Sequence, residues 1–129
     1  MPLTRDEILA LDGPALDAAV ATEVMGWKRG TPPHDGMWFD DANCGRWNSH
    51  WQPHKRWDHA GEVVEAMRKK GWQIHTRTGD GGTICRIQRL SSLGGLANLR
   101  TLGRAHGVTF PLAICRAALL AVSEEETVQ

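Results

Sequence analysis

Residues 109–122, TFPLAICRAALLAV, have the pattern of a helix start followed by about three apolar turns. Thr109 is a side-chain cap, Pro111 suits a first helical turn, and Arg116 is the only charge in the turns that follow. A helix apolar nearly all round is buried from more than one side, so the rest of the chain has to pack against it. Arg116 either carries its head to an edge or meets a carboxylate. That role is structural in most proteins, and Arg116 is a minor site candidate.

Working backwards from this helix, residues 98–105 read as a strand and residues 91–97 as a glycine-rich connection. Residues 72–78 and 83–90 form a hairpin about the turn Gly79-Asp80-Gly81-Gly82. A helix precedes it, capped by Asp58, with Ala60, Val63, Val64 and Met67 as its buried stripe and Gly71 as its left-handed end. Near the start, Thr4 and Glu7 make a capping box, and a second helix runs from about Pro14 to Met25. Its stripe is Leu16, Val20 and Val24, with Ala19 beside it. Strands joined by short turns are antiparallel, so the class is α+β. A three- to four-stranded sheet is packed between helices in one domain over residues 1–129.

Between residues 27 and 57 the periodicity disappears, yet five of the six tryptophans lie there. So much aromatic area buries or binds, and the segment reads as an ordered loop region, with residues 37–39 a short strand. Within it, His34, Cys44, His50, His54 and His59 offer metal-ligand types, but Cys44-x5-His50-x3-His54 is no tight knuckle and there is no CxxC. No metal and no cofactor is expected. Asp40 and Asp41 read as turn residues.

Composition sets wider limits. Hydrophobic residues at 41% and charged residues at 23% belong to an ordinary globular protein, and no apolar run is long enough to span a bilayer. The start, MPLTRDEILA, lacks a charged-then-apolar secretory pattern, which points to the cytoplasm. Cys44, Cys85 and Cys115 are odd in number and far apart, as for reduced thiols. The zero net charge hides an uneven spread. Before Gly26 there is one base against five acids; from Arg68 to Arg104 there are eight bases against Asp80 alone; Glu124, Glu125 and Glu126 follow.

The basic middle falls on the strands. Side chains two apart share a face, so Trp72, Ile74, Cys85 and Ile87 turn one way. The other face gathers His75, Arg77, Arg86, Arg100 and Arg104. Arginine forks on such a face suit phosphate or carboxylate, although a polar face is also what antiparallel sheets turn to water. There is no Walker loop, GxGxxG, HExxH or serine elbow, and no catalytic constellation.

Three segments in order, LDAAV at 16–20 with VMGW at 24–27, EVVEAM at 62–67 with Gly71-Trp72, and PLAICRAALLA at 111–121, resemble the phage ABA sandwich domain family of bacteriophage and prophage proteins. The resemblance covers most of the chain, from about Thr4 to Glu125. It implies a sheet between helical layers, in a protein made in the bacterial cytoplasm. No catalytic residues carry over from it. Members of the family the chain resembles often keep a shorter segment between the Gly-Trp and the third helix, with a serine/threonine-rich entry to that helix. Here the approach is PHKRWD at 53–58, a departure that points to extra function in the tryptophan-rich loop.

Two functional expectations result. The first is a non-enzymatic phage accessory protein that binds a small anionic ligand such as a nucleotide, sequestering a host defence signal. Trp38, Trp47 and Trp51 would stack the base while the arginines hold phosphate. The second is a protein-interaction module presenting the tryptophan loop to a host or phage protein, with a homo-oligomer as one form of it. The balanced charge argues against nucleic acid as partner.

Overall fold

The structure, a computed structural model, describes residues 4–40, 42, 44–93 and 96–128. Its spine is the C-terminal helix, Phe110–Val128. Thr109 caps it as expected, its hydroxyl accepting from the Leu112 amide at 3.4 Å and its carbonyl from the Ala113 amide at 3.1 Å. From Ala113 to Ala121, every residue but Arg116 and the slightly less covered Leu120 is at most 1% exposed.

The main sheet lies against this helix. Its strands are Trp72–Gly79, Gly82–Leu93 and Leu96–Gly107, antiparallel and adjacent in chain order. Trp72, Cys85, Ile87 and Ala105 are buried on the helix side. Two glycines on that side set the spacing. A Cβ on Gly103 would meet the Ala117 carbonyl oxygen and lie 2.7 Å from the Ala121 nitrogen, and one on Gly107 would lie 2.6 Å from the Ala113 nitrogen. Helix and strand thus meet backbone to backbone over Ala113, Ala117 and Ala121, where any side chain would hold them apart.

The turn at Asp80-Gly81 is where the sequence places it, with Gly79 opposite Gly82. Residues 91–97 are a correction. Residues 91–93 and 96–97 continue the two strands rather than connecting them, with Leu93 opposite Leu96. Gly94 and Gly95, like Asp41, lie outside the described residues.

The first helix, α1 (Arg5–Ala10), carries the Thr4–Glu7 capping box. After it, α2 (Gly13–Ala19) runs on into a π turn, Val20–Val24. The wider turn changes which residues face inward. Ala21 is fully buried, and Ala19 is only half-buried. The third helix, α3 (Trp57–Lys69), buries Ala60, Val63 and Met67, and Gly71 ends it at φ +83°. Asp58 is not its cap. The helix begins one residue earlier, and the Asp58 carboxylate instead takes the Arg56 guanidinium at 3.0 and 3.1 Å.

The α+β class and antiparallel sheet are as expected, and the layer order adds a refinement. The C-terminal helix, α4, covers the second and third strands of the main sheet, α3 covers the first, and α1, α2 and the π turn pack on α4 and α3 from outside. One face of the sheet is therefore buried and the other open among the described residues.

Residues 27–57 also differ from expectation. Within that range lies a second antiparallel sheet of β1 (Lys28–Arg29), β2 (Met37–Phe39) and β3 (Gly45–Trp47). Strands of two or three residues are too short to show alternation, so only the middle one is legible in the sequence. This small sheet is fastened to α3 by Arg46, which pairs with both Glu62 carboxylate oxygens at 2.9 and 3.0 Å. The same guanidinium lies 5.1 Å from the Trp27 and Trp51 ring centres.

A second fastening runs through Asp17 of α2. The Trp51 indole donates to its carbonyl at 3.0 Å, and its carboxylate accepts the His54 amide at 3.1 Å and the His54 ring Nδ1 at 2.7 Å. Burial raises the Asp17 carboxyl above its ordinary range, and the His54 hydrogen bonds oppose that. Asp17→Ala would leave the two His54 donors unmet beside a buried indole. We expect a loss of about 2–4 kcal/mol in urea unfolding, against less than about 1 kcal/mol for the exposed Asp12→Ala.

Candidate functional site

The open face of the main sheet gathers bases through simple register. His75 stands opposite Arg86, and Arg86 opposite Arg104, in one row across three strands. Arg77, Ile84 and His106 form the next row. Neighbouring strands lie about 4.8 Å apart, so the first row sets three bases within about 10 Å. His75, Arg77, Arg86 and Arg104 are exposed, and none of their side chains has an ion pair or hydrogen bond among the described residues. Like charges directly opposite one another weaken a sheet, so the row carries an unrelieved repulsion. His75, Arg77, Arg86, Arg104 and the half-buried Ile84 surround a shallow depression of about 230 Å³.

Arg100 does not join them. Between Ile87 and Gln88 the register slips: Ile87 faces Gly103 but Gln88 faces Thr101, leaving Leu102 as the extra residue of a bulge. One inserted residue turns the following side chains to the opposite face. Arg100 therefore points to the helix side, where it meets Glu124 of α4 at 3.1 Å. In its place the face has His106, which shares the parity of Arg104 and donates from Nε2 to the Gly81 carbonyl at 2.7 Å. That parity is visible in the sequence. The strand runs past its expected end at Ala105 to Gly107, and so takes in His106.

The tryptophans are elsewhere. Trp38 (3% exposed) and Trp51 (1%) are core residues of the packing between small sheet and helices. Trp51 stacks on His59, and Arg29 lies over Trp38. Trp47, 54% exposed, lies on the outer face of the small sheet. None of the three lines the basic depression.

The metal-ligand types disperse as well. His54 is held by Asp17, the His59 ring accepts the Gln52 amide at 3.0 Å, and Cys44 is exposed. Burial keeps His59 below the ordinary histidine range, in line with a neutral ring whose Nδ1 accepts. Among the described residues, no group of three or more histidine, cysteine or acidic side chains is placed to hold a metal ion. Arg116 donates to the His106 carbonyl at 3.1 Å and so ties α4 to the end of the third strand.

Burial pushes the Cys85 thiol up to about 12 and the Cys115 thiol higher still. The thiolate is the reactive form, so a disulfide-exchange reagent at about pH 8 should modify Cys44 alone in the folded protein. All three thiols should react in denaturant. Absorbance stoichiometry and intact mass read the outcome directly.

No helix among the described residues is long and apolar enough to cross a membrane. No curated protein and no solved structure matches the chain. Residues 18–119 match the phage ABA sandwich domain, which takes in the stretch from the end of α2 to the first half of α4. The chain belongs to the phage ABA sandwich domain family, a family of phage-associated proteins.

Proposed function

We propose that this phage-family protein is a non-enzymatic binder that captures the anionic group of a small ligand on the open face of its main sheet. The observation that supports the reading is the cross-strand row His75–Arg86–Arg104 with Arg77 beside it, four bases without an acidic partner among the described residues. An anion seated over the row would relieve the repulsion and receive several charge-assisted hydrogen bonds at once. The depression of about 230 Å³ is smaller than the roughly 300–1,000 Å³ of pockets that enclose a whole ligand. It suits a phosphate, diphosphate or carboxylate group and leaves the remainder of the ligand outside. A nucleotide would then be held through its phosphates, with no tryptophan stacking its base. The test is calorimetry against pyrophosphate, citrate and nucleoside diphosphates. Saturable binding that weakens steeply with salt supports the reading; absence of heat from all of them refutes it.

A second reading has its own observation. Trp47 is 54% and Trp57 66% exposed, and Trp57 stacks in parallel on Phe110 at 4.6 Å, beside the 75% exposed Val108. Exposed tryptophans mark interface hot spots, so a host or phage protein docking there is the alternative. Pulldown with the intact protein, repeated with Trp57→Ala and Trp47→Ala, separates the two readings.

A further inference from the structure

The outer face of the small sheet holds a concavity that anion capture on the main sheet does not use. Its volume is about 780 Å³, within the range of small-molecule sites. Met37 and Phe39 share one face of β2 and are both half-buried. Opposite Phe39 on β3 stands Gly45, whose lack of a side chain leaves room for both. A Cβ on it would lie 2.6 Å from the Met37 methyl and 3.0 Å from the Phe39 ring, so both side chains reach across the glycine. The result is an apolar floor, half-exposed, with the His34 ring edge-on to Phe39 at 6.3 Å.

The rim is polar. Lys28 stands opposite Phe39 on β1, one strand away and on the same face. It is exposed and has no ion pair among the described residues. Thr31 adds a hydroxyl. Asp40 uses one carboxylate oxygen to accept the Cys44 amide at 2.9 Å, and the other has no partner among the described residues.

We infer that this concavity binds a planar aromatic ring bearing an anionic group, of the size and chemistry of a nucleoside monophosphate. The ring lies on the Phe39 and Met37 floor, the anionic group meets the Lys28 ammonium, and the second carboxylate oxygen of Asp40 accepts from a hydroxyl or ring amine. An aromatic floor gains from stacking whatever the ring's identity, and a cation one strand away selects rings that carry a negative group. Trp47 shares this outer face, opposite Met37, and so reports on occupancy.

The test is a fluorescence and NMR titration of the intact protein with the four nucleoside 5′-monophosphates, using adenosine and ribose 5-phosphate as controls. At least one monophosphate should saturate with micromolar to low-millimolar affinity, tighter than either control. Lys28→Ala, a surface change, and Phe39→Leu, checked for folding by circular dichroism, should each weaken it about tenfold. The NMR shifts should centre on Lys28, Thr31, His34, Met37, Phe39 and Gly45 rather than on residues 75–77, 84–86 and 104–106, which separates this site from the main sheet. Read at these residues, the inference is overturned by three results: no monophosphate saturates, ribose 5-phosphate binds equally well, or K28A and F39L both bind like the parent protein.

Discussion

Gly103→Val should cost about 4 kcal/mol of stability or more and leave little folded protein at about 37 °C. A Cβ at this position would strike the Ala117 carbonyl and come within 2.7 Å of the Ala121 nitrogen. Both are backbone atoms in the middle of the most buried helix, so neither can swing aside as a side chain would. Relief requires α4 to move off the sheet, which also opens the contact of Gly107 with Ala113 and the layer in which Cys85 and Ile87 are buried. Even Gly103→Ala should lower the melting temperature by about 10–20 °C in calorimetry. Gly61, exposed in the middle of α3, is the control. A Cβ there meets nothing within 4 Å, so Gly61→Ala should stabilise the protein by about 0.5–1 kcal/mol. If the two glycine-to-alanine changes had the same sign, the close approach of helix and strand would be wrong.

The second large effect concerns binding. Replacing Arg86 and Arg104 by alanine removes two neighbours of the central row. Each charge-assisted hydrogen bond contributes about 1.5–3 kcal/mol, so the double variant should bind pyrophosphate about 100-fold more weakly or worse. Stability should move the other way. The two guanidiniums stand opposite each other without a side-chain partner among the described residues, and relieving a like-charge pair returns about 0.2–1 kcal/mol. Weaker binding with an unchanged or higher melting temperature is the signature of a site kept at the expense of the fold. Arg100→Ala makes the contrast, because it breaks the pair with Glu124 and should leave pyrophosphate affinity within about twofold.

Some of the features behind these effects are displayed by the sequence and others are hidden in it. The cap at Thr109, the apolar run behind it, the Asp80-Gly81 turn and the Gly71 helix end all write themselves into residue type, because each needs a particular side chain or its absence. From those, the helices and hairpin follow. His75, Arg77, Arg86 and Arg104 share a face because strand alternation is a strict rule while the register holds. Arg100 departs from that rule because a bulge is a single added residue. Leu102 is apolar and buried beside the slip, and hydropathy carries no mark of it. The tryptophans are ambiguous for a different reason. An aromatic in an irregular segment buries or binds with the same residue type, and only the packing of Trp51 on Asp17 and of Trp38 in the core decides between them.

Amide NMR shift mapping with pyrophosphate is the most direct measurement of where an anion binds. Pyrophosphate has no ring, so it offers nothing to the floor of the small-sheet concavity. Anion capture on the open sheet predicts saturating shifts centred on residues 75–77, 84–86 and 104–106. Shifts confined to residues 27–57, or none at saturating salt-matched concentrations, would contradict it.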